Sequence, residues 1–165
     1  MKTQIQPNTV QPNTVQSTTM KPQINASLGQ LLADYQVLYQ KFRNYHWNVR
    51  GEMFFGLHAK FEELYLDAAE KVDVLAELIS SNGQRPPSTL AEQLKLARLK
   101  EDATTPAATD MVRNIVIDLE QLNDWLRQAS LDASAAKDVK TVNVLDGFAD
   151  GQEKTAWMLR AFLGK

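Results

Sequence analysis

Residues 44–77 read NYHWNVRGEMFFGLHAKFEELYLDAAEKVDVLAE, and this stretch determines which fold the sequence predicts. Apolar and aromatic residues recur every three or four positions on both sides of Gly51, as they do on one face of an α-helix. Glycine is favoured just beyond the C-terminus of a helix, so the first helix is expected to end at Gly51. The stretch therefore predicts two amphipathic helices joined by a short connection at residues 52–56.

The same periodicity extends outward from this hairpin to the rest of the chain. Ser27 is a suitable N-cap for the first helix, and Pro86 and Pro87 prevent the second from continuing. We find no convincing strand. The predicted helices cover about residues 27–50, 57–82, 88–99, 106–126 and 139–162. Four long helices predict an all-α four-helix bundle, with the short helix at 88–99 in the crossover between helices two and three.

The first 26 residues differ in composition from the rest of the chain. They are rich in Gln, Thr, Asn and Pro, they contain QPNTV twice in tandem at 6–10 and 11–15, and Lys2 and Lys21 are their only charged side chains. Such a segment has too little apolar surface to offset the entropy lost on ordering. We therefore expect a disordered tail at residues 1–26 and one helical domain at residues 27–165.

The bulk composition excludes several classes of function. The chain has 165 residues, which suggests one domain, and it has no cysteine. Disulfides, zinc fingers, thiolate catalysis and iron–sulfur clusters are therefore excluded. The formal net charge of −2 does not suit a general polycation for nucleic acid. Neither a signal peptide nor a membrane span has the apolar run that it requires, so the expected location is the cytoplasm.

Four potential metal ligands lie on one face of the predicted second helix. His58, Glu62, Asp73 and Glu77 fall within an arc of about 100° at helical spacing. Each pair separated by four residues can converge on one cation. Imidazole and carboxylate together suit iron, manganese or zinc.

The distance between these two pairs limits the architecture of the site. Their midpoints are 15 residues apart, which is about 22 Å along one helix. The two pairs therefore form separate sites, or one pair meets the other pair of a neighbouring copy. An antiparallel two-fold contact with its axis near Asp67 and Ala68 would form two equivalent sites in each dimer. Ala68 and Ala69 lie where the two helices would have to approach closely.

The first helix contributes a further candidate ligand. His46 and His58 each lie six residues from residue 52. A helical hairpin that turns there places the two histidines side by side, at the same height along the two helices. Each feature has a simpler interpretation by itself, because a histidine on an apolar helix face is usually a hydrogen-bonded core residue, and acidic pairs are usually solvated. The combination of two aligned histidines and two acidic pairs on one face favours a metal site.

The residues of this constellation also match a known family. The segments 44–51, 57–58, 61–65 and 153–159, with Asp73 and Glu77, resemble the Dps family of miniferritins. The most specific part is a histidine followed by a second histidine after 12 residues, an aspartate after a further 15 and a glutamate after a further four. The likeness covers about residues 27–165, which is all of the chain except the expected tail.

The resemblance implies a ferritin-like bundle, twelve copies of which form a hollow shell. It also implies a ferroxidase centre between two-fold-related copies, with His46, His58 and Glu62 from one copy and Asp73 and Glu77 from the other. Glu62 stands where many members have aspartate. Trp47 matches a tryptophan beside the centre that absorbs oxidising equivalents, although core packing would explain it equally well.

The implied activity is a ferroxidase that protects against oxidative damage. Fe²⁺ would bind and lose electrons to hydrogen peroxide or oxygen, and Fe³⁺ would be stored inside the shell. Other divalent metals such as zinc could occupy the same site.

Three other functions remain open at this stage. A DNA-compacting stress protein needs cationic contacts, and Lys2, Lys21 and Lys165 predict weak or absent DNA binding, which leaves association with the nucleoid open. A conventional ferritin carries Glu-x-x-His motifs, which this sequence lacks. A helical protein without a metal would differ from all of these in an iron-oxidation assay.

Overall fold

The computed structural model describes residues 14–164, with side chains from residue 23 onward. Within this part of the chain there are five α-helices and no strand. The helices are α1 Thr14–Asn48, α2 Phe54–Ser81, α3 Leu90–Leu96, α4 Ala108–Ala135 and α5 Val139–Phe162. The predicted all-α bundle of four long helices with a short helix in the crossover is confirmed.

Two helical hairpins pack together to make the bundle. α1 pairs with α2, α4 pairs with α5, and α1 also contacts α3 and α4. The largest fully buried side chains come from α1, α2 and α4, and they include Tyr35, Phe42, Tyr45, Phe61, Leu75 and Met111. Among the described residues, no helix is both long enough and apolar enough to cross a membrane.

The first helix starts earlier than the sequence predicted. It begins at Thr14 and not near Ser27, so residues 14–26, expected to be disordered, are helical. Ile24 is buried and continues the apolar face that starts the bundle core. The side chain of Asn25 also accepts a hydrogen bond from Asn82 at the end of α2, 3.1 Å away. These two contacts hold residues 24 and 25 of the expected tail to the bundle. Residues 1–13 of the expected tail lie outside the described residues.

The crossover is held to α1 by a buried carboxylate. Asp34 is fully buried and accepts hydrogen bonds from the backbone N–H groups of Arg98 and Leu99, at 2.6 and 3.0 Å. It also accepts two from the Arg98 guanidinium, whose carbon lies 3.9 Å from the centre of the Trp125 ring. Because Asp34 binds these two N–H groups, α3 ends at Leu96 and not near residue 99 as predicted.

Candidate metal centre

The turn between α1 and α2 determines how the two helices face each other. Gly51 has φ +98°, a conformation that favours glycine, and its carbonyl accepts a hydrogen bond from the backbone N–H of Phe54 at 3.0 Å. The hairpin that follows brings His46 of α1 against His58 of α2. Their rings stack with centroids 3.7 Å apart and planes 22° apart. The predicted alignment of the two histidines is confirmed.

Each histidine donates a hydrogen bond to the backbone of the other. His46 Nδ1 donates to the carbonyl oxygen of His58 at 2.7 Å, and His58 Nδ1 donates to that of His46 at 2.9 Å. Because a carbonyl oxygen can only accept, the hydrogen of each neutral ring lies on Nδ1, and Nε2 keeps its lone pair. This is the usual arrangement of a metal-binding histidine, in which one nitrogen is fixed by the protein and the other is available to the metal.

Aromatic neighbours hold the two imidazoles in place. Phe54 stacks on His58 with centroids 5.0 Å apart, and the Tyr65 ring stands edge-on to His46 at 5.4 Å. His46 is buried, whereas His58 is partly exposed on α2. The pair therefore lies at the edge of the core, where its free nitrogens can meet a ligand without a change of ring position.

Tyr65 also contacts the first of the predicted carboxylate ligands. Its hydroxyl donates a hydrogen bond to Glu62 Oε1 at 3.2 Å. Burial, and then the charge of Glu62, raise the pKa of Tyr65, so the hydroxyl keeps its proton at neutral pH. The sequence analysis gave Tyr65 no role in the site, although it lies in the segment 61–65 that matches the family. Its separation of three residues from Glu62 is the one signal that could have indicated this contact.

The other two carboxylates lie farther along α2. Asp73 and Glu77 are exposed, on the same face as Glu62 at helical spacing. Within residues 14–164, no three His, Asp or Glu side chains come together as a metal site. One copy of the chain therefore brings the two histidines together but does not bring Glu62, Asp73 or Glu77 to them.

The exposed face of α2 is more apolar than a solvated helix surface. Phe55 is 85% exposed and Leu66 is 57% exposed, and both lie on the helix face that carries Glu62 and Asp73. Large apolar side chains that are exposed on the same face of a helix are typical of a surface that another protein covers.

Of the two alanines expected at the close approach between copies, Ala68 is buried and Ala69 is exposed. Ala68 is 1% exposed and packs in the core of its own chain, and Asp67 forms an ion pair with the buried Lys71. Ala68 therefore cannot lie at a close approach between two copies, because its side chain points the other way. Ala69 is exposed and, with Leu66, takes that position.

Trp47 lies at the surface of the chain. Its side chain is 51% exposed, and the guanidinium carbon of Arg43 lies 4.6 Å from the centre of its ring. Core packing within one chain, one of the two interpretations given above, therefore does not explain this tryptophan.

Comparison with known proteins identifies relatives along nearly the whole chain. The family model of the ferritin-like domain matches residues 25–165. A DNA protection during starvation protein from Brevibacillus brevis is 44% identical over 136 residues, which cover 82% of this chain and 91% of the relative. DNA protection during starvation protein 2 from Bacillus anthracis is 39% identical over 146 residues, which cover 88% of this chain and 100% of the relative.

Solved structures agree with these relatives. The crystal structure of a Dps protein from Bacillus brevis has a TM-score of 0.86 at 41% identity, over 88% of this chain and 97% of that one. A Dps protein from Vibrio cholerae O1 has a TM-score of 0.86 at 37% identity, over 88% of this chain and 92% of that one. The latter is described as a member of a broad superfamily of ferritin-like diiron-carboxylate proteins.

Proposed function

This chain belongs to the Dps family of ferritin-like proteins, and from that premise we propose that it is a ferroxidase that stores iron. Fe²⁺ is its substrate, hydrogen peroxide or oxygen is the oxidant, and Fe³⁺ is kept inside a closed shell of twelve copies. The ligands are His46, His58 and Glu62 from one copy with Asp73 and Glu77 from another.

The observation that carries this proposal is the histidine pair. Two hydrogen bonds between α1 and α2 fix both rings through Nδ1, and in the neutral tautomer that they select, Nε2 of each ring carries the lone pair. Glu62 lies one turn beyond His58 on the same helix, so the donor set fits iron or zinc.

The exposed face of α2 supports the sharing of ligands between two copies. One antiparallel register of α2 against the α2 of a second copy places position 58 opposite 77 and position 62 opposite 73. The same register places Leu66 opposite Ala69 and Phe55 opposite Ser80. Each large exposed side chain then meets a small one, so the two helices can approach closely while the ligands converge.

The proposed reaction balances in electrons and protons. Two Fe²⁺ ions give one electron each to hydrogen peroxide, which takes up two protons and leaves as two water molecules. The imidazoles supply neutral nitrogen donors, and the carboxylates offset the charge of the product Fe³⁺. Zinc accepts the same donors, so Zn²⁺ is expected to compete at this site.

Trp47 is proposed to absorb oxidising equivalents that escape the centre. It follows His46 in the sequence. Its side chain is half exposed and lies outside the core of its own chain, in contact with Arg43. This role is carried over from the family resemblance.

A subunit-mixing experiment tests both the activity and the shared site. His58→Ala chains and Asp73→Ala chains are each expected to be inactive after anaerobic loading with Fe²⁺ and addition of peroxide, followed by the absorbance of Fe³⁺. Mixed shells, formed by dissociation and reassembly, should regain activity, because some of their sites keep all the ligands. Glu63→Ala is the matched control, because this neighbouring carboxylate pairs only with Lys60 at the surface. Assembled mixed shells that stay inactive would contradict a site shared between copies.

A further inference from the structure

Resting on the proposed function, we infer that Tyr65 is a positioning residue of the metal centre that holds the carboxylate of Glu62. One side chain here contacts two proposed ligands that come from different helices. The Tyr65 hydroxyl donates to Glu62 Oε1 at 3.2 Å, and the edge of its ring faces the His46 imidazole with centroids 5.4 Å apart.

The tyrosine is itself held firmly enough to position another group. Its ring is partly buried and packs edge-to-face against the ring of Tyr39 of α1, with centroids 6.1 Å apart and planes 80° apart. The hydroxyl therefore projects from a packed ring toward a carboxylate one turn earlier on α2. Packing across two helices sets where Glu62 Oε1 can lie.

Glu62 is the ligand that most needs such a contact. Its side chain is exposed, and glutamate has one more rotatable bond than aspartate, so it has more conformations to lose when it binds a cation. A hydrogen bond to one carboxylate oxygen restricts these conformations and leaves the second oxygen with its lone pairs for the metal. Groups that hydrogen-bond to a metal ligand in this way usually affect metal affinity.

The test uses Zn²⁺ as a probe, with the full-length assembled protein. Tyr65→Phe keeps the ring and removes the hydroxyl, so it should weaken Zn²⁺ binding, measured by titration calorimetry, by about ten- to a hundredfold. Thermal stability and the mass of the assembly should not change. Tyr39→Phe is the matched control, because it removes a hydroxyl from the ring packed on Tyr65 and leaves the contact with Glu62 intact. It should bind Zn²⁺ as the unmodified protein does.

A double-mutant cycle separates positioning from a general structural effect. If Tyr65 acts through Glu62, then Tyr65→Phe should have no further effect on Zn²⁺ affinity in a Glu62→Ala background. An equal loss in both backgrounds would show that the hydroxyl acts by another route and would overturn the inference. Unchanged affinity of Tyr65→Phe in the otherwise unmodified protein would also overturn it.

His58→Ala distinguishes failure of this inference from failure of the proposed function. If His58→Ala weakens Zn²⁺ binding and Tyr65→Phe does not, then the metal centre stands and only the role of Tyr65 is wrong. If Zn²⁺ binds equally well to His58→Ala, then the centre itself is wrong and the inference falls with it.

Discussion

Asp34 is the single residue on which the crossover most depends. Its carboxylate is fully buried and accepts four hydrogen bonds from Arg98 and Leu99. Asp34→Ala leaves these donors without a partner, which should cost about 3–5 kcal/mol, as for other buried ion pairs that lose one member. A clear fall in the midpoint of thermal unfolding is therefore expected. Asp110→Ala, which breaks an exposed ion pair with Arg113, should change that midpoint little. Similar midpoints for the two variants would contradict the importance of this contact.

At the scale of the element, α3 depends on a cap that acid should remove. Thr89 and Glu92 form a capping box, and the Arg85 hydrogen bond, followed by those from Thr89, lowers the pKa of Glu92 from 4.5 to about 2. Because the pKa is lowered in the folded chain, the cap stabilises α3 above about pH 4.5 and is lost as the pH falls toward 2. Hydrogen exchange should show reduced protection of α3 over this range. Glu92→Ala should show reduced protection already at neutral pH, whereas Lys95→Ala in the same helix should behave as the unmodified chain. Equal protection of the α3 amides at pH 6 in the unmodified chain, Glu92→Ala and Lys95→Ala would exclude this role of the cap.

At the scale of the whole molecule, the exposed face of α2 predicts a closed oligomer. Leu66 is 57% exposed at the centre of the proposed two-fold contact. Leu66→Glu would place two charges opposite small side chains in that contact, so it should prevent the two-fold contact and abolish iron oxidation while the chain stays helical. Light scattering measures the assembly, the absorbance of Fe³⁺ measures iron oxidation, and circular dichroism measures the helix content. A monomer at micromolar concentration for the unmodified protein would contradict both the assembly and the shared site.

The charge of the assembly predicts weak interaction with DNA. The formal charge is −2 per chain, so the proposed shell of twelve copies would carry −24, which repels phosphate. Lys2 and Lys21 are the only charged side chains among the first 26 residues of each copy, and contacts as sparse as these depend strongly on salt. We expect weak or undetectable binding at about 0.15 M salt. Any low-salt binding should be lost on deletion of residues 1–21, which removes both lysines and keeps Ile24 and Asn25 in the bundle. A gel-shift titration across salt concentrations measures this. Tight binding that survives the deletion would reveal a basic surface elsewhere.

The amino-acid sequence by itself predicted the four long helices, the short helix in the crossover and the alignment of the two histidines, while a site shared between two copies stays a prediction. Helical periodicity depends on residues only a few positions apart. The side-by-side position of His46 and His58 follows from their equal distance in sequence from the turn. The separation of about 22 Å between the two ligand pairs follows from the rise of a helix. All of these are local regularities that can be read without knowledge of how the helices pack.

Only the tertiary structure decided which atoms meet. Three sets of contacts join groups from different elements: the reciprocal bonds between His46 and His58, the bonds from the crossover to Asp34, and the bond from Asn82 to Asn25. The inward direction of Ala68 follows from how α2 rotates against the core. Such contacts depend on the packing of whole side chains between helices, and a pattern of residue types along one helix does not specify that packing.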